Sequence, residues 1–176
     1  PELTGSDPYN LLYARQNSRR LPAEFVRDNA LAVSGLLNIQ IGGESARPYQ
    51  PAGYYRELNF PKRTYKQHND DKQYRRGVYM HWQRSFLHPM LVAFDAPPRE
   101  ECTASRESSN TPQQALVLLN DPQYVEAARN LAQRVALEAG KSLDARIVLA
   151  YRLATAHRPS PRTLNILKEA YGEELA

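Results

Sequence analysis

The clearest periodicity lies between Pro122 and Ala136, where Tyr124, Val125, Ala128, Leu131, Ala132, Val135 and Ala136 recur at spacings of three and four. That spacing predicts a helix with one apolar face. Asp121 is placed to cap it, Pro122 suits its first turn, and Gly140 stops it. Just upstream, Thr111-Pro112-Gln113-Gln114 reads as a capping box, with Thr111 as N-cap and Gln114 reaching back to the Thr111 N–H. Ala115 to Leu119 follow, apolar all round, which predicts a short helix buried on most faces and ended by Asn120. Ser142 caps a third helix through Asp144, Ile147, Val148, Tyr151 and Leu153, ending near His157-Arg158. Ser160-Pro161 starts a fourth, with Leu164, Ile166, Leu167 and Tyr171 on its apolar side and Gly172 as its stop. Connections this short favour antiparallel neighbours.

The first half is less regular. Residues 7–17 suggest a helical turn capped by Asp7, with Pro8 at its first position. Leu21-Pro22 opens a longer helix in which Phe25, Val26, Ala30, Val33 and Leu37 form the apolar stripe. Glu24, Arg27 and Asp28 begin its polar side, and Gly35 weakens its last turn. From Asn38 to Asp71 no period survives, and the stretch holds three prolines and three glycines. Connections inside compact domains have a median of about 4–6 residues, so a loop this long is functional, partner-ordered or disordered. Its aromatic residues Tyr49, Tyr54, Tyr55, Phe60 and Tyr65 argue against disorder and for anchoring on the helices. In residues 72–93, Val78, Met80 and Trp82 alternate with Tyr79, His81 and Gln83, which suits a short strand or a single helical turn. His88-Pro89 reads as a bend or an extended dipeptide.

The predicted fold is mainly α. Residues 1–176 form a multi-helical single domain with a long irregular, aromatic-rich insertion at 38–76 and at most a short strand or hairpin. Its 176 residues, 41% apolar and 24% charged, suffice for a real core. No run of 18 apolar residues spans a membrane. The opening PELTGSDPYN shows no signal peptide and suggests a fragment of a longer protein.

Charge changes the picture locally. The net charge is +4. Arg47, Arg56, Lys62, Arg63, Lys66, Lys72, Arg75, Arg76 and Arg84 face only Glu57, Asp70 and Asp71 within residues 47–84, while each flank comes out near −1. The basic character therefore belongs to one segment, which points to an anionic partner surface. Tyr49, Tyr54, Tyr55, Lys62, Arg63, Tyr65, Arg75, Arg76 and Trp82 are the candidate binding residues, with rings to stack on sugars or bases and cations to pair phosphates or sulfates. The opposing reading turns the rings inward as anchors and leaves the charges solvated.

A second cluster, Asp95, Arg99, Glu100, Glu101, Arg106 and Glu107, surrounds the single cysteine. Asp95, Glu100, Glu101 and Cys102 are the weak candidates for acid, base or nucleophile. The blander reading makes Asp95 and Arg99 a structural ion pair that locks the entry to the Thr111 helix. One cysteine excludes an internal disulfide, a multi-thiolate zinc site and C-x-x-C-H haem attachment. His68, His81, His88 and His157 are scattered without metal-ligand spacing. Gly42-Gly43 lacks the following Lys-Ser/Thr helix of a phosphate loop.

Several phrases resemble a known family: DPYNLLYARQNSRRLPAEFVRDNALAVSGLL, GGESARPYQPAGYY, YRRGVYMHWQR, FDAPPREECTASRESSNTPQQALVLLNDPQYVEAAR and ARIVLAYRLATAHRPSPRTL. Together they cover nearly the whole chain, and the chain is identified as similar to the domain of unknown function 1553 family. That family is the C-terminal domain of large exported planctomycete and verrucomicrobial proteins carrying cytochrome-c-like domains. The resemblance implies no agreed catalytic residues. It implies an exported, periplasmic or cell-envelope location and a haem-bearing neighbouring domain, with no cofactor in this chain.

The leading functional expectation is a non-catalytic interaction or scaffold module, docking on its own upstream domains or on an anionic polysaccharide of the envelope. Nucleic acid is disfavoured by the implied export. The rival is a hydrolase-type domain acting on polysaccharide through Asp95, Glu100, Glu101 or Cys102. A deep pocket holding two of those groups favours the enzyme, and a shallow basic, aromatic face favours the module.

Overall fold

The computed structural model describes residues 5–16, 19–57, 64–83 and 86–175. Among them are six helices: α1 (Ala23–Ser34), α2 (Pro89–Ala93), α3 (Pro112–Asn120), α4 (Pro122–Glu138), α5 (Leu143–Thr155) and α6 (Pro161–Glu173). Short 3-10 turns at Tyr54–Glu57, Asp71–Tyr74 and Gly77–Tyr79 punctuate the irregular segment. The domain is mainly helical, and the described residues form no sheet. Each helix from α3 to α6 packs on the next, and α1 lies along α4.

The helix starts follow the sequence closely. The Asp121 carboxylate accepts from the Gln123 N–H at 2.9 Å, and the Ser160 hydroxyl accepts from the Thr163 N–H at 3.1 Å. Each satisfies a donor that the first turn leaves without a partner. Gly140 takes a left-handed φ of 72° after α4. α5 stops earlier than the pattern suggests, at Thr155, where Ala156 turns left-handed. Gly172 lies inside α6 instead of ending it. Gly35 has a φ of 83° and terminates α1, with the Leu36 N–H returning to the Leu31 carbonyl at 2.9 Å.

Other expectations need correction. Thr111 caps α3 without a side-chain bond, and Gln114 turns away to Ser109 and Arg20. No capping box forms. Leu116, Leu118 and Leu119 are exposed, so α3 is not buried on most of its faces. Its main helical neighbours are α2 and α4, and a helix apolar all round has more faces than two neighbours can cover. Asp7 caps no regular helix. Its carboxylate oxygens accept from the Leu11 and Leu12 N–H groups at 2.9 Å each, bracing a turn. Val78, Met80 and Trp82 form no strand. Tyr79 ends a 3-10 turn, and the pairing there is one isolated parallel bridge between Ala46 and Met80.

The largest correction concerns α1. Its buried positions are Ala23, Glu24, Arg27, Leu31 and Ser34, while Phe25 is half exposed. The side that starts with Glu24 and Arg27 faces inward. The cause is the neighbour: an irregular segment leaves carbonyls that its own backbone cannot pair. Arg27, fully buried, donates to the carbonyls of Gln73 at 2.5 Å and Arg75 at 2.6 Å, and to Gln123 Oε1 at 2.7 Å. Burial pulls its pKa down to about 10, against the pull of Asp28. Gly77 packs directly under this face. A Cβ there would lie 2.8 Å from the Glu24 carbonyl oxygen, so no larger residue fits without movement.

The apolar core sits between α1, α2, the start of α4 and this segment. Ala23, Met80, Leu87, Met90, Leu91 and Tyr124 form its centre, with Val26, Trp82, Phe94 and Val117 around them. His88 caps α2 from within the core. Its Nδ1 accepts from the Met90 N–H at 3.3 Å, and its Nε2 sits 2.7 Å from the Tyr49 carbonyl. That pattern makes Nε2–H the donor and leaves the ring neutral. No described helix is long and apolar enough to cross a membrane.

Candidate functional site

In the acidic loop Asp95 is bound to the loop's own backbone and hydroxyl groups. Asp95 Oδ2 accepts from the Ser109 N–H at 2.7 Å, and both of its oxygens accept from the Ser109 hydroxyl at 2.8 and 2.9 Å. These bonds, the backbone one first, hold the carboxyl below its ordinary range. The buried Gln114 donates to the Ser109 hydroxyl at 3.2 Å and accepts from Arg20 at 2.8 Å. Asp95 therefore does lock the entry to α3, through Ser109 and not through Arg99. Arg99 instead lies over the Trp82 ring, 3.6 Å from its centroid.

Arg106 grips Glu24 with two bonds, at 2.7 and 3.1 Å, and so ties the loop to α1. Burial is the largest single influence on Glu24 and opposes its ionisation, but the Arg106 bonds, a backbone hydrogen bond and the charges of Arg106 and Arg99 together keep the carboxyl below its usual range. Glu100, Glu101 and Cys102 are exposed. A hollow of about 350 Å³ beside Asp95 is lined by Arg106 and Glu107, and by none of Glu100, Glu101 or Cys102. Among the described residues no three His, Cys, Asp or Glu side chains are grouped to hold a metal ion.

The aromatic segment is likewise consumed by structure. Tyr55 is buried, and its ring meets Tyr54, Tyr65 and Phe86 at centroid distances of 5.6–6.2 Å. The Tyr54 hydroxyl donates to the Leu87 carbonyl at 2.8 Å and the Tyr65 hydroxyl to the Pro48 carbonyl at 2.7 Å. Burial pushes the Tyr65 phenol up. Arg75, also buried, donates to the carbonyls of Gln40, Gly42 and Glu44 and stacks on Tyr79. The Gly42-Gly43 turn thus serves Arg75 and not a phosphate. Arg76 is half exposed, with Nε 3.7 Å from an Asp28 oxygen. Trp82 is covered by Arg99, and Tyr49 remains partly open to solvent. Lys62, Arg63 and Phe60, the last expected to be an anchor, lie outside the described residues. Tyr54, Tyr55 and Tyr65 thus act as anchors, for the same reason as Arg27: irregular backbone needs side chains to close its hydrogen bonds. All three also line a hollow of about 250 Å³ together with Gln50 and Arg56.

Two concave features went unseen in the sequence. One is a cleft of about 790 Å³ where residues 67–74 and Tyr49 meet the corner between α3 and α4. Its walls carry Gln67, Asn69, Gln73, Glu126 and Arg129. The Tyr74 hydroxyl donates to Glu126 Oε1 at 2.7 Å, and burial together with that carboxylate pushes the phenol up to about 12. Nothing in the sequence puts Gln67 beside Glu126, because an aperiodic segment has no register to read. The other feature is an apolar groove of about 380 Å³ along α4, α5 and α6, walled by Leu131, Val135, Leu143, Ile147 and Tyr171, with Arg146 at its edge. Here the helical periodicity does supply part of the signal, since Leu131, Val135, Ile147 and Tyr171 are among the positions it singles out.

No curated protein and no solved structure matches this chain. The sequence pattern of PSD1, described as a protein of unknown function (DUF1553), matches residues 1–171. With nearly its whole length matched and the helical architecture in place, the chain belongs to the PSD1 (DUF1553) family.

Proposed function

We propose that this domain is a non-catalytic interaction module, and that the groove along α4, α5 and α6 is its docking face. The groove carries the reading: a wall of aliphatic carbon left open on helices that have already packed on one another. Exposed apolar surface of this kind, with Tyr171 itself half exposed, marks contact sites on folded domains. The partner it fits is an apolar helix or loop from the preceding part of the same polypeptide. The exported setting, the cell-envelope location and a haem-bearing neighbour belong to this proposal through the family resemblance. The basic segment is the weaker docking face, because Arg75 and the tyrosines are occupied with their own backbone. A hydrolase has less support, because the described hollows do not bring two of its candidate groups together.

The test is a titration of this chain with the separately expressed preceding part of its polypeptide, at low and high salt. Submicromolar binding that persists at high salt is expected, since apolar contact is not screened. Ala132→Glu sets a charge into the groove from an exposed helix position and is expected to weaken binding at least tenfold, at a charge-burial cost of above ~1.4 kcal/mol. No binding at either salt overturns the docking proposal.

A further inference from the structure

We propose that the cleft between residues 67–74 and the corner of α3 and α4 is a binding site for an uncharged saccharide. This goes beyond the docking reading and stands if that reading fails, because the two features lie at different places on α4. The cleft has ligand size: about 790 Å³, within the range of small-molecule sites. Its chemistry is amide chemistry. Gln67, Asn69 and Gln73 line it, and among the described residues none of the three spends its side-chain amide on a hydrogen bond. A carboxamide offers donors and acceptors together, which matches a hydroxyl group that does both.

The charges point the same way. Arg129 and Glu126 sit one helical turn apart and face the same cleft. Glu126 receives the Tyr74 hydroxyl on Oε1, and its Oε2 remains as an acceptor. Arg129 makes no ion pair among the described residues. One cation and one anion give the cleft no net sign, so what a sulfated or phosphorylated chain gains from Arg129 is offset by repulsion from Glu126. An uncharged polyhydroxyl ligand meets a donor from Arg129 and an acceptor from Glu126, both charge-assisted. Tyr49, Pro122 and Val125 add the apolar faces on which the C–H side of a sugar ring rests. Gln123 is not part of the offer, since its Oε1 already holds Arg27.

The experiment is calorimetric titration of the full chain with cellohexaose, xylohexaose, mannohexaose and a heparin hexasaccharide, at low and high salt. Saturable binding of at least one of the three neutral sugars is expected, with affinity unchanged by salt. Asn69→Ala removes one polar contact at an exposed position, and Glu126→Gln turns a charged acceptor into a neutral amide; each is expected to weaken that binding roughly five- to tenfold, the scale of one lost or weakened hydrogen bond. Ala132→Glu, in the apolar groove, is expected to leave it unchanged. Three outcomes overturn the inference: no heat with any neutral sugar, binding of heparin alone that vanishes at high salt, or equal affinity in the two cleft variants and the parent chain.

Discussion

Acidification should destabilise this domain through one side chain, His88. The ring is buried in the core, where its Nδ1 accepts the Met90 N–H and its Nε2–H donates to the Tyr49 carbonyl. Protonation would set a second donor on Nδ1 against the Met90 N–H and place a charge among Leu87, Met90 and Leu91. Burial pulls the pKa down from 6.5 to about 4; the Tyr49 carbonyl opposes this and nearby Arg27 adds to it. The sign follows from proton counting. Between pH 6.5 and 4 the unfolded chain binds a proton at this position and the folded chain does not, so stability rises with pH across that window. The contribution is fully present above pH 6.5 and is lost as pH falls toward 4. At about 1.36 kcal/mol per pKa unit, its size is roughly 3 kcal/mol. The assay is urea denaturation of the parent chain and of His88→Gln at pH 7, 5.5 and 4. Glu24 and Asp95, whose carboxyls are held low, also lose stabilisation on acidification, but they do so in both proteins and cancel in the difference. The parent's advantage over His88→Gln should shrink by about 3 kcal/mol from pH 7 to pH 4. A difference constant to within ~0.5 kcal/mol would refute the reasoning, as would an NMR titration placing the His88 pKa near 6.5.

Two further perturbations test the polar side of α1. Arg27→Met leaves the Gln73 and Arg75 carbonyls and Gln123 Oε1 without their donor, at about 1–3 kcal/mol per buried group, partly offset by relief of the buried charge. Arg27→Met with Gln123→Leu should be the more stable of the two in urea denaturation, since it removes one of the orphaned acceptors; a double variant no better than the single would show that Gln123 is not part of the hub. Gly77→Ala forces a Cβ to 2.8 Å from the Glu24 carbonyl oxygen and should cost about 1–3 kcal/mol. Thermal unfolding within about 1 °C of the parent would mean that α1 shifts to make room at no cost.

Helix starts were legible because their determinants are local. Asp121-Pro122 and Ser160-Pro161 carry their caps within three residues, and those bonds form whatever the helix later packs on. The second-half order α3 to α6, the long aperiodic middle and the inward turn of Tyr54, Tyr55 and Tyr65 could also be read or weighed from composition and spacing. The groove was half legible: its apolar positions are periodic, but the side of each face left open depends on how far the neighbouring helix reaches. The amide cleft was not legible at all.

The sequence by itself determined where five of the six described helices begin, which segment has no period, and that a mainly helical domain results; α2, which starts at Pro89 where the sequence suggests only a bend or an extended dipeptide, was not among them. Tertiary structure alone decided which face of α1 turns inward, because periodicity ranks residues by apolarity and cannot register carbonyls arriving from residues 73 and 75 to meet Arg27. It decided in the same way that Asp95 would serve Ser109 and Arg106 would serve Glu24, partners 14 and 82 residues away. A polar side chain is placed by the partner it satisfies, and that partner is supplied by a part of the chain that no local pattern can see.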